Sequence, residues 1–173
     1  MLVCGIDPGL GGAVTFIEGD EVYSFDMPTL EVGRGKTKKR DLDGYALFRL
    51  LEQNRPPLEH VFVEQAQAIP KQSAYNTGVF FQVYGEIRGI LIAACIPFTV
   101  VHPRTWKTAL RVPAAKDAAR ARASQLLPHA ANQWPLKKHD GRAESACIAY
   151  WGLRQLQPQA INGRDALLFV TSD

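Results

Sequence analysis

The chain opens on a short apolar run that ends in one carboxylate: Leu2, Val3, Cys4, Gly5, Ile6 and then Asp7, with Pro8 and Gly9 directly behind it. A run of this length, closed by a Pro-Gly break, predicts a buried strand whose turn carries Asp7 to the end of a sheet. The pattern recurs once. His60, Val61, Phe62 and Val63 predict a second short buried strand, again closed by an acid, Glu64. If the two strands are neighbours, both acids emerge at the same sheet edge, which is where open α/β sheets place ligands.

The remaining chain supplies the elements such a sheet needs. Residues 2–6, 12–18 and 21–27 predict three strands, and the turn signal Gly19-Asp20 makes the second and third an antiparallel hairpin. Residues 31–43 lack an apolar period and carry Gly33, Gly35 and a cluster of cations, which predicts an exposed, mobile loop. A helix follows from Asp43 as N-cap, with Tyr45, Leu47, Phe48, Leu50 and Leu51 as its apolar face and Pro56-Pro57 as its stop. After the strand at 60–64 come a polar loop (65–76), a long helix (about 77–95) and a strand (97–102). A short basic helix (104–110), a helix at about 115–127, a Pro/Trp-containing loop (128–138) and a last helix (140–156) complete the pattern. The tail 157–173 has no assigned task. The order β-β-β-α-β-α-β-α-α-α describes one mixed α/β domain over 1–173, with a hairpin-first sheet, later parallel strands and covering helices. At 173 residues the chain has room for one such domain and no second.

Composition narrows the setting more than the chemistry. The net charge of +3 is modest, so the placing of charge matters more than its sum. Cys4, Cys95 and Cys147 are far apart, odd in number and set in apolar runs; they predict buried reduced thiols in a cytosolic protein and not a disulfide framework or a zinc site. No basic-then-apolar leader opens the sequence. The most apolar stretch, 79–98, is interrupted by Gln82, Glu86 and Arg88, which predicts a buried helix and not a membrane span. A cytoplasmic location is the expectation.

Two further acids, Asp140 and Glu144, stand four residues apart and so share one face of the last helix. Separately, Asp140 reads as an N-cap and Glu144 as an acid favoured by the helix dipole. A helix laid across the sheet edge would instead bring both to Asp7 and Glu64. Four gathered carboxylates repel one another, and a cation relieves the repulsion. An all-oxygen donor set favours Mg²⁺ or Mn²⁺ over zinc. Two such ions roughly 3.5–4 Å apart would activate a water and stabilise the leaving oxygen of a phosphodiester.

Three motifs carry a family likeness: Gly5-Ile6-Asp7-Pro8-Gly9, then Val63-Glu64-Gln65, then His139-Asp140-Gly141-Arg142-Ala143-Glu144. In this order and at these distances they resemble the RuvC-type Holliday junction resolvases, phage members especially, from the first strand to about Leu156. The resemblance implies an RNase H-like fold, a homodimer, and Mg²⁺-dependent cutting of four-way DNA junctions. It implies metal-binding and catalytic roles for Asp7, Glu64, Asp140 and Glu144, and roles near the scissile phosphate for Lys107 and Lys116. Two departures stand out. The last two acids are four apart where bacterial members usually space them three apart, a shift that a long Glu side chain on the same helical face can absorb. The bacterial enzymes also carry a junction-opening aromatic shortly after the second acid, where this chain has Gln65, Ala66, Gln67, Ala68 and Ile69.

Basic residues cluster twice. Arg34, Lys36, Lys38, Lys39 and Arg40 put five cations in seven positions, enough to follow a phosphate backbone and release counterions, although a charge run is also the ordinary sign of a solvated face. Arg104, Lys107, Arg111, Lys116, Arg120 and Arg122 lie between the second and third acids. Beside a metal cluster they would hold phosphates without reading bases. Arg104, Lys107 and Lys116 are the expected DNA contacts, and Arg120 and Arg122 the expected bystanders. His139 has no His or Cys at metal spacing and reads as a neighbour of the site and not a ligand. Glu86 and Arg88 predict a local pair or a place in a dimer interface along helix 77–95.

The leading expectation is a structure-selective DNA endonuclease that cuts paired symmetric strands to 5′-phosphate and 3′-hydroxyl ends, a two-fold dimer matching the symmetry of a junction. Three alternatives stand beside it: an RNase H-like nuclease for RNA–DNA hybrids or other branched DNA, a non-catalytic junction-binding protein, and an actin-like phosphotransferase. The last needs a second related domain for which this chain has no room.

Overall fold

The structure is a computed structural model, and it describes residues 1–33, 35, 38–53, 57–68, 72–115 and 118–157. Among the described residues the strands and α-helices follow one another as β1 (Leu2–Asp7), β2 (Ala13–Glu18), β3 (Glu21–Asp26), β4 (Thr29–Val32), β5 (Lys39–Leu42), α1 (Gly44–Glu52), β6 (His60–Glu64), α2 (Ala74–Ala93), β7 (Phe98–Val101), α3 (Pro103–Ala109), α4 (Ala118–Leu126) and α5 (Asp140–Leu156). Five of the strands form one sheet in the order β3-β2-β1-β6-β7. The β1–β2 and β2–β3 pairs are antiparallel, and β1–β6 and β6–β7 are parallel. This is the mixed sheet expected of a hairpin-first α/β domain.

β1 is the middle strand and is buried on both faces, which explains why it reads as a continuous apolar run and not as an alternation. The pleat sorts its side chains. Leu2, Cys4 and Ile6 join Val61 and Val63 of β6 in a core layer completed by α1 and α2, through Leu47, Leu51, Val83, Ile87 and Leu91. Val3 and Phe62 point the other way, into a layer with Trp106 of α3, Ala123 of α4 and Ala143, Ala146 and Ile148 of α5. With a period of two, Asp7 follows Val3 and Gly5 onto the α5 face, and Glu64 follows Phe62 onto the same face. The sequence alternation therefore decides on which side of the sheet both acids appear.

α5 lies very close to the sheet. A Cβ on Gly5 would collide with the Ser145 carbonyl oxygen and would stand 2.9 Å from Ala149 Cα, so only glycine permits the approach. Buried polar contacts fix the register of that approach. The Thr15 and Ser145 hydroxyls lie 2.7 Å apart, and Thr15 also reaches the Ser24 hydroxyl at 2.7 Å. On the exposed edge Arg142 donates to both Asp26 carboxylate oxygens, at 2.6 and 2.8 Å, tying α5 to the end of β3.

Several expectations are corrected. Residues 31–43 are not one loop: Thr29–Val32 and Lys39–Leu42 pair antiparallel as a separate two-stranded sheet. Its charged strand hides the pattern, since only Leu42 of β5 is buried. The long helix starts at Ala74, three residues earlier than its apolar pattern suggested, because Ser73 caps it by accepting from the Asn76 backbone N–H at 3.2 Å. Asp43 caps α1 as expected, through the Ala46 N–H at 2.9 Å, but Tyr45 faces solvent and leaves the buried contacts to Leu47 and Leu51. The Pro/Trp segment holds two 3₁₀ turns, Pro128–Gln133 and Lys137–His139. Cys4 and Cys147 are buried, whereas Cys95 is exposed, in a left-handed turn just beyond α2. Glu86 and Arg88 do not pair with each other: Glu86 accepts from Gln82 at 2.8 Å, and Arg88 lies over the Tyr84 ring. Among the described residues no helix is long and apolar enough to cross a membrane. Apart from Gln157, the tail lies outside the described residues.

Candidate active site

The parallel register between β1 and β6 sets the first two acids side by side. Ile6 pairs with Val63, so Asp7 and Glu64 each stand one residue beyond a matched position, at the same end of the sheet. α5 crosses above that end and brings Glu144 to it, one residue before the Ser145 that anchors the helix to Thr15. The three carboxyls act on one another. Burial lifts the Asp7 carboxyl well above the usual carboxylate range, and the charges of Glu144 and then Glu64 lift it further. Burial, followed by the charge of Glu144, pushes Glu64 up to about 7.

α3 provides what partly offsets this repulsion. Trp106 is fully buried, and its indole N–H donates to Glu64 Oε2 at 2.7 Å. Lys107 follows it, over the indole ring, and its ammonium donates to Glu144 Oε1 at 2.9 Å. Burial alone would lower the Lys107 pKa, but the charges of Glu144, Glu64 and Asp7 outweigh it and leave the pKa above its ordinary value. His102 caps this helix from its N-terminal side, accepting from the Arg104 N–H at 3.1 Å, so the placing of Trp106 and Lys107 is fixed locally.

The fourth acid, Asp140, begins α5 and stands on the same face as Glu144, and the two share a cleft of about 450 Å³ with Lys107, Val112, Pro113 and Ala115. It forms an ion pair with Arg120 of α4, Nε to Oδ1, at 3.2 Å. Arg120, expected to be a bystander, thus faces the acids. Arg122 is tied to the fold, donating to the Leu110 carbonyl at 2.6 Å. His139 sits at the head of α5 and accepts from the Leu136 N–H through Nδ1 at 3.3 Å. The structure therefore brings Asp7, Glu64, Glu144 and Lys107 together, with Asp140 and Arg120 on the rim.

The donor set is all oxygen, as a hard divalent cation prefers, and the Asp7 and Glu64 carboxyls are raised by burial first and by neighbouring carboxylates second, a cost that such a cation would offset. Among the described residues no three acidic, His or Cys side chains are arranged so that together they could hold a metal ion. Trp106, Lys107 and Arg120 hold three of the acids instead. The residues fit Mg²⁺ or Mn²⁺ by the chemistry of their oxygen donors.

The basic residues divide. Arg34, Lys36 and Lys116 lie outside the described residues. Lys38 pairs with Glu31 at 2.7 Å on the surface. Lys39 lies over the Tyr75 ring, and Arg40 donates to the Leu10 carbonyl at 2.7 Å and to Thr29 Oγ1 at 3.2 Å. Arg104 is exposed on α3, three residues before Lys107. The sequence reading gave Trp106 no role and set Arg120 among the bystanders, whereas both contact the candidate acids. A tryptophan directly before Lys107 was a usable signal; nothing in the local pattern marks Arg120.

No known family profile matches this sequence, and no curated protein does. Solved structures do match. A Thermus thermophilus RuvC structure shares 22% identity over 90% of this chain and 96% of its own, with a TM-score of 0.51. T. thermophilus RuvC in complex with a Holliday junction substrate shares 19% over 90% and 96%, with a TM-score of 0.54. The fowlpox virus Holliday junction resolvase aligns at 15% identity over 91% of this chain and 100% of its own, with a TM-score of 0.45. The likeness first read from three short motifs extends through the mixed five-stranded sheet and its covering helices, and the chain has the RNase H-like fold of RuvC.

Proposed function

We propose that this chain is a metal-dependent endonuclease for branched DNA, which resolves four-way junctions by hydrolysing one phosphodiester in each of two symmetric strands. The observation that carries the reading is the convergence of Asp7, Glu64 and Glu144 at one sheet end, with the Asp7 and Glu64 carboxyls raised by burial and by the charge of Glu144, and Lys107 among them. The fold shared with a RuvC whose structure holds a Holliday junction substrate points to the same class of DNA. Asp7, Glu64, Asp140 and Glu144 would hold two Mg²⁺ ions, with Mn²⁺ as a substitute, and the ions would supply Lewis-acid stabilisation of charge at the phosphodiester.

The protein's own part is positional. Trp106 holds Glu64 by Oε2, which restrains the orientation of the carboxylate. Lys107 sits where it can leave Glu144 for a phosphate oxygen once a cation has taken up the acid's charge. Arg104 and Lys116 would bind flanking phosphates, and Lys38, Lys39 and Arg40, with Arg34 and Lys36, a more distant stretch of backbone. Water adds to phosphorus and the 3′ oxygen leaves, giving a 3′-hydroxyl and a 5′-phosphate. A two-fold dimer in the cytoplasm of a bacterial or phage-infected cell would give each protomer one strand. Phe81 and Ile92 are exposed on α2, and Gly85 and Gly89 have open space beside them, which makes that helix face the proposed interface.

The test is a synthetic four-way DNA junction incubated with and without Mg²⁺, comparing wild type with Asp7→Asn. Paired symmetric nicks that need both the ion and Asp7, with binding retained by the variant, are expected. Binding without cutting by wild type would leave a junction-binding protein. Cutting of hybrids or flaps alone would move the substrate.

A further inference from the structure

The two acids of α5 are each met by a cation from a different helix. Glu144 is paired with Lys107 of α3 at 2.9 Å, and Asp140 with Arg120 of α4 at 3.2 Å. Lys107 lines the cleft together with both acids, and Ala118 and Ala119, directly before Arg120, form part of its wall. Of the two cations, only Lys107 has a part in the chemistry proposed above. The Arg120–Asp140 pair is not what fastens α4 to α5, because Ala123 of α4 is buried in one apolar layer with Ala143, Ala146 and Cys147 of α5. The pair is also loosely set. The Asp140 side chain is 40% exposed and that of Arg120 24%, and partly solvated ion pairs are readily exchanged for better partners.

We propose that Arg120 is a latch on Asp140, which keeps that carboxylate from a cation until a DNA phosphate draws the guanidinium away. The proposal deepens the metal-nuclease reading of this site and rests on it, adding a positioning residue and an order of loading. Two observations carry it. No three acidic, His or Cys side chains among the described residues stand so that together they could hold a metal ion, so an acid must move before the set can close. Asp140 is the one with room to turn: it begins α5 at the rim and is 40% exposed, against 26% for Glu144.

The guanidinium supplies both the hold and the release. A positive group beside a carboxylate opposes a second positive charge there, so Asp140 is a poor ligand while the pair stands. The contact to Asp140 runs from Nε to Oδ1, whereas a phosphate can take two parallel N–H bonds from a guanidinium. A strand entering the cleft therefore takes Arg120 and leaves Asp140 to the cation. Because both events pass through one residue, DNA and cation each strengthen the binding of the other by the same factor.

Manganese binding tests this without any cutting. Free Mn²⁺ is measured by electron paramagnetic resonance while the DNA-free protein is titrated. Arg120→Gln should bind Mn²⁺ about tenfold tighter than wild type. Arg120→Lys, which keeps the charge, should stay within about threefold of wild type. The gain should run through Asp140: where Asp140→Asn is already present, adding Arg120→Gln should change the affinity by less than about twofold. Arg122→Gln removes the same charge two residues on, where the guanidinium donates to the Leu110 carbonyl, and should also change it by less than about twofold. On the DNA side, junction affinity is compared in Mn²⁺ and in chelator at one ionic strength, by stopped-flow anisotropy read before nicks accumulate. The strengthening by Mn²⁺ should be about tenfold smaller for Arg120→Gln than for wild type.

Equal or weaker Mn²⁺ binding by Arg120→Gln would overturn the latch. So would the same gain in Arg122→Gln, a gain that survives Asp140→Asn, or a junction response equal to that of wild type. The nuclease reading is judged apart. Wild type that binds Mn²⁺ and cuts, with Arg120→Gln binding no tighter, would overturn the latch alone; Mn²⁺ binding by neither protein would overturn both. The expected Mn²⁺ pattern without cutting by wild type would uphold the latch and overturn the nuclease.

Discussion

Lys107 Nζ donates to Glu144 Oε1 at 2.9 Å, and the two residues stand 37 apart in the chain. The pair is more than a surface ion bridge, because the same ammonium also lowers the carboxyl pKa of Asp7 and of Glu64. One cation on α3 thus answers three acids brought from β1, β6 and α5. Without a metal it is the charge that keeps this sheet end from being strongly self-repelling.

Replacing it tests that role. Lys107→Met keeps most of the side-chain stem but removes the charge. The variant should lose about 1 kcal/mol of stability at pH 8, a figure kept small because both partners are partly solvated. At pH 5.5 the loss should shrink, since the Glu64 carboxyl, raised to about 7, is then largely neutral and no longer needs the ammonium. Urea denaturation at the two pH values measures the difference. An equal loss at both would limit Lys107 to its pair with Glu144 and remove its part in holding Glu64.

The Glu64 carboxyl makes a prediction with a definite sign. Its folded pKa of about 7 lies above the ordinary glutamate value of 4.5, so between these values the folded state binds more protons than the unfolded one. Stability therefore rises as pH falls from 8 toward 5, by about 1–3 kcal/mol from this group. His60 is lowered by burial and works against the trend at the acidic end, so the comparison must be with Glu64→Gln, which keeps His60. In chelator, wild type should melt higher at pH 6 than at pH 8, and Glu64→Gln should lose the Glu64 share of that difference while keeping the share of the raised Asp7 carboxyl.

A divalent cation should act as the proton does. At pH 8, Mn²⁺ or Mg²⁺ well above its dissociation constant should raise the melting temperature of wild type, by the usual mass action of a ligand that prefers the folded chain. Asp7→Asn removes one ligand and one of the repelling charges together. Its metal-free form should melt above metal-free wild type at pH 8, while its response to the cation falls away. A variant both less stable and still responsive would show that Asp7 is not part of the site. The expected pattern places the cost of the acid cluster in stability and its use in chemistry.

How much of this was legible in the sequence depends on the range of the interaction. The two strand-closing acids were visible because a short apolar run with a terminal carboxylate is a local pattern, and the pleat then fixes the face on which Asp7 and Glu64 appear. Asp140 and Glu144 were visible because helical spacing is local as well. The β4–β5 pair was not, since it is made by backbone hydrogen bonds between segments whose side chains are mostly in water. Trp106 reads as a core residue by its size, but its bond to Glu64 spans 42 residues. Arg120 sits on a weakly patterned helix, and only the packing of α4 against α5 turns it toward Asp140. Tertiary contacts of this kind leave no period behind.

The close approach of α5 to β1 leads to a last prediction. Gly5 lies in the middle of a strand, where glycine is ordinarily a weak choice. It is required here because the atoms facing it are backbone, Ser145 O together with Ala149 N and Cα, and backbone cannot rotate away as a side chain can. Gly5→Ala must therefore lift the helix off the sheet, costing about 3 kcal/mol by the measure of overpacked cores. The same displacement would draw Glu144 away from Asp7 and strain the Thr15–Ser145 contact. The variant should unfold at lower urea concentration and, where it remains folded, should show a smaller rise in melting temperature with Mn²⁺ than wild type. Gly11→Ala is the control: a Cβ there meets nothing within 4 Å, so stability should stay within about 0.5 kcal/mol of wild type. If both variants behaved alike, the contact between α5 and β1 would not be what assembles the acids.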